Sequence, residues 1–129
     1  MSKRSLKHIP IYRKALELCV MSREIASYVS FNKDLLRLYE SNSLRDIMAN
    51  SLLTDTILIP QKIAQTEFSE SSSERLKNIS FINIMIRNIN SYCLGLEKDG
   101  VKEIEYLNLL RAELKSFKKY YKKWKSSLR

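Results

Sequence analysis

Apolar residues recur at steps of three and four, the spacing of one helical face, in four separate stretches of the chain. In the first, from about Pro10 to Val29, Ile11, Ala15, Leu18, Ser22, Ile25, Ala26 and Val29 form one continuous stripe. Pro10 stands in the first turn, where its missing N–H would have gone unpaired anyway. Ser30 to Asp34 reads as a loop. The second stretch opens at a cap on Asn42 or Ser43, turns Leu44, Ile47, Met48, Ser51, Leu52 and Leu58 inward, and ends near Glu67. Residues 35–41 are either an earlier turn of that helix or a short separate one. Pro60 falls inside the pattern and predicts a kink, because its ring clashes with the carbonyl four residues back.

The third stretch begins at Ser71, followed by Glu74 at capping-box spacing. Its body carries Leu76, Ile79, Ile82, Met85, Ile86, Ile89, Tyr92, Cys93 and Leu96, with Phe81 and Ile84 on further faces. A helix apolar over that width is central or shared with a second subunit, so Phe81, Ile84, Met85 and Tyr92 are the candidate oligomer interface. Lys98-Asp99-Gly100 makes the next turn. In the fourth stretch, about Val101 to Ser127, Leu107, Leu110, Leu114, Phe117, Tyr121, Trp124 and Leu128 alternate steps of three and four, the seam of a left-handed bundle. The reading is an all-α fold of one domain spanning residues 1–129. It is an antiparallel up-down-up-down four-helix bundle with its second helix kinked at Pro60, and residues 1–9 form a flexible basic arm.

Charge changes this picture through its placement. The net charge is +9. Lys3, Arg4, Lys7, Arg13 and Lys14 occupy residues 1–14 with no acid among them, and Arg111, Lys115, Lys118, Lys119, Lys122, Lys123, Lys125 and Arg129 face only Glu113 in residues 111–129. In the expected topology these segments meet at one pole. A basic cap there would favour the helix C-terminus and solubility. Mutual repulsion among so many cations opposes folding, and a polyanion offsets it, which makes nucleic acid the expected partner. The candidate contacts are Lys3, Arg4, Lys7, Arg13, Lys14, Lys115, Lys118, Lys119, Lys122, Lys123, Lys125 and Arg129. Phe117, Tyr121 and Trp124 belong to the seam, whereas Tyr120 lies off it and is the base-stacking candidate.

Candidate catalytic chemistry is sparse. His8 is the sole histidine, two glycines leave no phosphate-cradling loop, and no metal-ligand or nucleophile motif occurs, so neither an enzyme nor a cofactor is expected. Cys19 and Cys93 read as free buried thiols of a cytoplasmic protein, and no segment reads as a signal or a membrane span.

The segment from Leu52 to Met85, LLTDTILIPQKIAQTEFSESSSERLKNISFINIM, resembles the four-helix-bundle family of proteins encoded in intervening sequences of bacterial large-subunit ribosomal RNA genes. The matching positions are Ile59-Pro60, Ile63-Ala64, Ser71 and Glu74, with Ala15 to Leu18 and Gly100 fitting as well. Leu53-Thr54, Lys62 and Gln65-Thr66 stand where that family usually has an Arg pair, Asn and Glu-Gly. A related branch is the accessory variability determinant of diversity-generating retroelements. The resemblance therefore implies a basic homopentamer that assists a reverse transcriptase and binds nucleic acid. The resulting expectation is a non-enzymatic, oligomeric accessory protein that binds nucleic acid, with RNA favoured over DNA. The alternative is a protein-interaction adaptor, for instance for a reverse transcriptase.

Overall fold

Helices account for the whole regular structure of the described residues. The computed structural model describes residues 3–128, apart from the side chains of residues 3–5 and 35. A 3-10 helix over Lys3–His8 leads into α1 (Pro10–Val29), followed by α2 (Leu35–Glu40), α3 (Leu44–Phe68), α4 (Ser72–Lys98) and α5 (Ile104–Ser127). α1 packs on α3 and α5, α4 packs on the same two helices, and α2 rests on α3. Among the described residues no helix is long and apolar enough to cross a membrane.

α1 buries the seven residues of its stripe. Ser22 belongs to that buried row, yet its hydroxyl has no hydrogen-bond partner among the described residues. Past the helix, Phe31 and Asn32 both take left-handed backbone, at φ 57° and 63°. The turn is held by the Asn32 amide, which donates to the Ser27 carbonyl at 2.7 Å. The first segment, expected as an arm, carries the 3-10 helix, which packs on the start of α1.

Of the two readings for residues 35–41, the structure has the separate short helix. Asp34 caps α2 by accepting the Arg37 amide at 2.9 Å, and Leu38 is its buried anchor. Ser43 caps α3, accepting the Asp46 amide.

The inward face expected for α3 is corrected. Leu44 is 60% exposed and Ile47 47%, while Met48, Ser51 and Leu58 are half-buried; of the expected set only Leu52 is fully inside. The buried row is instead Asp46, Ala49, Leu52, Thr56, Ile59, Pro60, Ile63 and Thr66. Apolar residues lie all round this helix, so hydrophobicity carries no phase, and small and self-satisfied polar residues take the tight side. Thr56 and Thr66 return their hydroxyls to the carbonyls of Leu52 at 2.9 Å and Lys62 at 2.8 Å, which lets them be buried without a foreign partner. Asp46 is buried as an ion, with Lys33 Nζ at 3.0 Å and the Ser41 hydroxyl at 2.7 Å.

α3 runs through Pro60 without ending. Proline has no N–H, so the Thr56 carbonyl four residues earlier lacks its helical donor. The Cys19 thiol of α1 donates to that carbonyl at 3.0 Å. Burial raises the Cys19 pKa above the ordinary thiol value, which keeps the proton the bond needs.

At the start of α4, Ser71 accepts the Glu74 amide at 3.3 Å. The reciprocal half of the capping box passes through Ser69, whose hydroxyl accepts the Ser71 amide and donates to Glu74. At its end the Val101 amide reaches the Leu96 carbonyl and the Gly100 amide that of Glu97, a Schellman closure with Gly100 at φ 92° and Leu96 and Val101 both buried. In α5 the expected seam is buried from Leu107 to Trp124, and Leu128 beyond it is half-buried.

Candidate nucleic-acid interface

Three elements converge where the chain is most basic. His8, Ile9, Pro10 and Ile11 at the start of α1, Glu67 in the last turn of α3, and Tyr120, Lys123, Trp124 and Ser127 near the end of α5 line one groove of about 480 Å³. The two basic segments, distant in sequence, therefore adjoin. Trp124 is anchored by its indole N–H, which donates to Glu67 Oε2 at 2.6 Å, and Tyr121 by its hydroxyl, 3.0 Å from the Ile79 carbonyl. Phe117, Tyr121 and Trp124 are core, as their spacing predicts, and Tyr120 is 41% exposed.

The candidate cations divide by their surroundings. Lys14 is half-buried between Glu17 at 3.2 Å and Glu113 at 2.9 Å and lies 5.5 Å from the Tyr120 ring centre. Its bond to Glu113 holds its pKa above the ordinary lysine value, so that charge serves the α1–α5 contact. Exposed Arg13 donates to the Lys7 carbonyl at 3.0 Å, and Lys7 is exposed beside it. Lys115, Lys119, Lys122, Lys123 and Lys125 are exposed and Lys118 half-buried; none of the six has a carboxylate partner among the described residues. The side chains of Lys3 and Arg4, and the whole of Arg129, lie outside the described residues.

Geometry orders the six lysines further. Arg111, Lys115, Lys118, Lys122 and Lys125 follow one another at steps of three or four, hence on one side of α5. Arg111 is bonded to Glu97 of α4 at 2.8 Å, so the row runs along the α4 flank, with its lower end neutralised and its upper end free. Lys123 turns to the other flank and faces the groove.

No protein-family model matches the chain, nor does any curated protein or solved structure. The site therefore rests on its own geometry.

Of the expected oligomer contacts, Met85 is buried in the chain's own core, and Tyr92 is half-buried, donating to Asp55 of α3 at 2.6 Å. Phe81 is half-buried under the Lys62 ammonium, 4.9 Å from its ring centre. Ile84 is 42% exposed. Among the described residues no group of three or more His, Cys, Asp or Glu side chains is placed to hold a metal ion. Both cysteines are free, Cys93 buried and Cys19 half-buried.

Glu67 is the residue that sequence reasoning missed. It stands in an ordinary polar stretch, and nothing in its neighbours announces that the fold sets it against Trp124, on a helix that α3 otherwise barely meets. A larger groove, about 560 Å³, lies at the far end of α1 between Tyr28, Phe31, Arg45, Val101 and Glu103. Arg45 on its wall is paired with Asp99 at 2.8 Å, and Lys102 and Glu103 line it as well.

Proposed function

We propose that the chain is a non-enzymatic, oligomeric nucleic-acid-binding accessory protein, with RNA favoured, built as an antiparallel up-down-up-down four-helix bundle bent at Pro60. The closed cycle of contacts α1–α3–α4–α5 supports the bundle. So do pairs that run in opposite directions along facing helices: from Lys14–Glu113 to Tyr28–Tyr106 the position rises along α1 as it falls along α5, and Arg45 near the start of α3 bonds Asp99 just past the end of α4. The resemblance to the intervening-sequence family supports a homo-oligomer, and Ile84 is the expected contact residue left open to a partner.

The observation that carries the function is the cluster of lysines on α5 that have no carboxylate partner among the described residues. Six ammonium groups within eleven residues, free of carboxylates, repel one another, and a phosphate backbone relieves that repulsion by releasing its own counterions. The partner's charge matters here more than its sequence, because phosphate contacts position a strand without reading it.

The test is binding of a labelled single-stranded RNA followed by fluorescence anisotropy across a potassium chloride series. With about six phosphate contacts, the logarithm of affinity should fall against the logarithm of salt with a slope of roughly −4. Replacing Lys118, Lys119, Lys122 and Lys123 by Glu should abolish binding. Affinity that ignores salt, or survives those four changes, would refute the proposal.

A second reading, a protein-interaction adaptor for an enzyme such as a reverse transcriptase, has its own observation. Phe31, Leu36 and Tyr39 are 77%, 67% and 80% exposed at the end of α1 away from the lysines. A partner retained after nuclease treatment, and lost with Phe31→Ser and Tyr39→Ser, would favour it.

A further inference from the structure

The groove at the basic pole holds two opposite charges apart. Glu67 is half-buried on one wall and makes no ion pair among the described residues, although Lys123 lines the same groove. A carboxylate placed only to balance local charge would close onto that lysine. Instead Oε2 is fixed by the Trp124 indole, which orients the carboxylate, and among the described residues no hydrogen bond engages Oε1. A carboxylate accepts and never donates, so the remaining oxygen awaits an N–H. The exposed ring of Tyr120 lines the same groove, with Lys14 Nζ 5.5 Å from its centre. An anion alone would be repelled by Glu67, and a cation alone by Lys123 and its neighbours. The matching ligand combines N–H donors, a flat ring and an anion.

We propose that this groove is a guanine-nucleotide subsite, in which Glu67 accepts from the guanine N1–H and N2–H groups, Tyr120 stacks on the base, and Lys123 meets the phosphate. Guanine places two donors side by side on its pairing edge. Adenine and cytosine each set a ring-nitrogen lone pair beside their amino group, and uracil flanks its single N–H with two carbonyls. Each of those three turns an acceptor toward the carboxylate. The subsite rests on the nucleic-acid reading above and adds base preference to it. The same chemistry is offered by an unpaired guanine within a strand and by a free guanine nucleotide.

Trp124 is the sole tryptophan and is bonded to Glu67, so its fluorescence reports on the groove directly. Titration with GMP, AMP, CMP and UMP, and with short oligouridylates bearing one central guanine or adenine, separates the two sources. Guanine should perturb Trp124 at a concentration roughly tenfold below the other bases. A response to GMP marks a free-nucleotide site, and a response only to the guanine-bearing oligomer marks a strand-borne one.

Glu67→Gln keeps an oxygen for the indole but substitutes a donor for the second acceptor. It should erase the guanine preference while leaving salt-dependent binding of oligouridylate in place. Tyr120→Ala should weaken all four bases together, also by roughly tenfold, with far-ultraviolet circular dichroism confirming that both variants fold. Equal midpoints for the four bases, or a guanine preference that survives Glu67→Gln, would overturn the subsite even if RNA binding through the lysine row persists. Selective GMP binding without any RNA binding would uphold the subsite and sink the broader reading.

Discussion

If the Cys19 thiol replaces the donor that Pro60 lacks, the two residues must be energetically coupled across α1 and α3. Cys19→Ala leaves the Thr56 carbonyl in a half-buried setting with neither a backbone nor a side-chain donor. An unsatisfied group of that kind costs about 1–3 kcal/mol, and the lost sulfur adds roughly the 0.8 kcal/mol of one buried methylene. A thiol is a weak donor, which places the expected total near the low end, about 2 kcal/mol. In a Pro60→Ala background residue 60 regains its N–H, and the Thr56 carbonyl can accept it along the helix. There Cys19→Ala should cost only the packing part, about 0.8 kcal/mol. The difference, a coupling of about 1 kcal/mol, is within the range resolved by a double-mutant cycle. Pro60→Ala has its own effect, since the buried ring leaves a void while a helical hydrogen bond returns, but that effect cancels in the cycle. The assay is urea unfolding of the four proteins, followed by far-ultraviolet circular dichroism and by Trp124 fluorescence. Cys19→Ser, which keeps a donor at the same place, should lie within about 1 kcal/mol of the parent. Equal costs for Cys19→Ala in the two backgrounds would refute the reasoning.

Ser22→Ala should raise stability by about 0.5–1 kcal/mol, because the buried hydroxyl has no partner among the described residues and alanine is the better helix former; a lower urea midpoint would count against this. Burial pushes the Asp46 carboxyl up, but the Ser41 and Lys33 bonds, with the charges of Lys33 and Arg45, outweigh it and leave the pKa lowered from 3.8. Its folded pKa is below the unfolded one, so its stabilisation is complete above about pH 4 and is lost as pH falls through the folded value. The acid decline of the urea midpoint should therefore be shallower in Asp46→Asn, itself a less stable protein. Burial pushes the Tyr121 phenol up to about 12 from 10.0, and burial with the Asp55 bond does the same for Tyr92. Phenols raised on folding stabilise fully below pH 10 and lose that contribution as pH rises through 12. Tyrosinate absorbance should then lag in the folded state, and Tyr121→Phe should remove part of the alkaline loss at a cost of about 1 kcal/mol at neutral pH.

How far the sequence reaches can be read helix by helix. In α1 and α5 one unbroken apolar row at steps of three and four outweighs the exposed Leu16, Val20 and Leu109 off it, so the 3.6-residue period sets the buried face, and Ile11 to Val29 and Leu107 to Trp124 are legible without coordinates. Caps are equally local. Ser43, Ser71 and Gly100 act through bonds to amides and carbonyls a few positions away, and no distant contact has to be known. The clustering of positive charge at the chain ends is likewise a property of the sequence.

α3 shows where that reach stops. Leu44 and Ile47 are as apolar as Ile59 and Ile63, and only the approach of α1 and α4 decides which pair is covered, since a helix apolar all round offers its neighbours several nearly equivalent faces. Tertiary structure also decided every pairing of distant groups: Cys19 with the carbonyl that Pro60 orphans, Lys14 with Glu113, and Glu67 with Trp124. The period of a helix is written in neighbouring residues, which the sequence lists in order. A hydrogen bond or ion pair between helices depends on their relative rotation and rise, and many residues far apart in the chain set those together. The lysines were visible from the start, but the carboxylate beside them became visible only when packing on α1 and α4 brought the end of α3 within reach of Trp124.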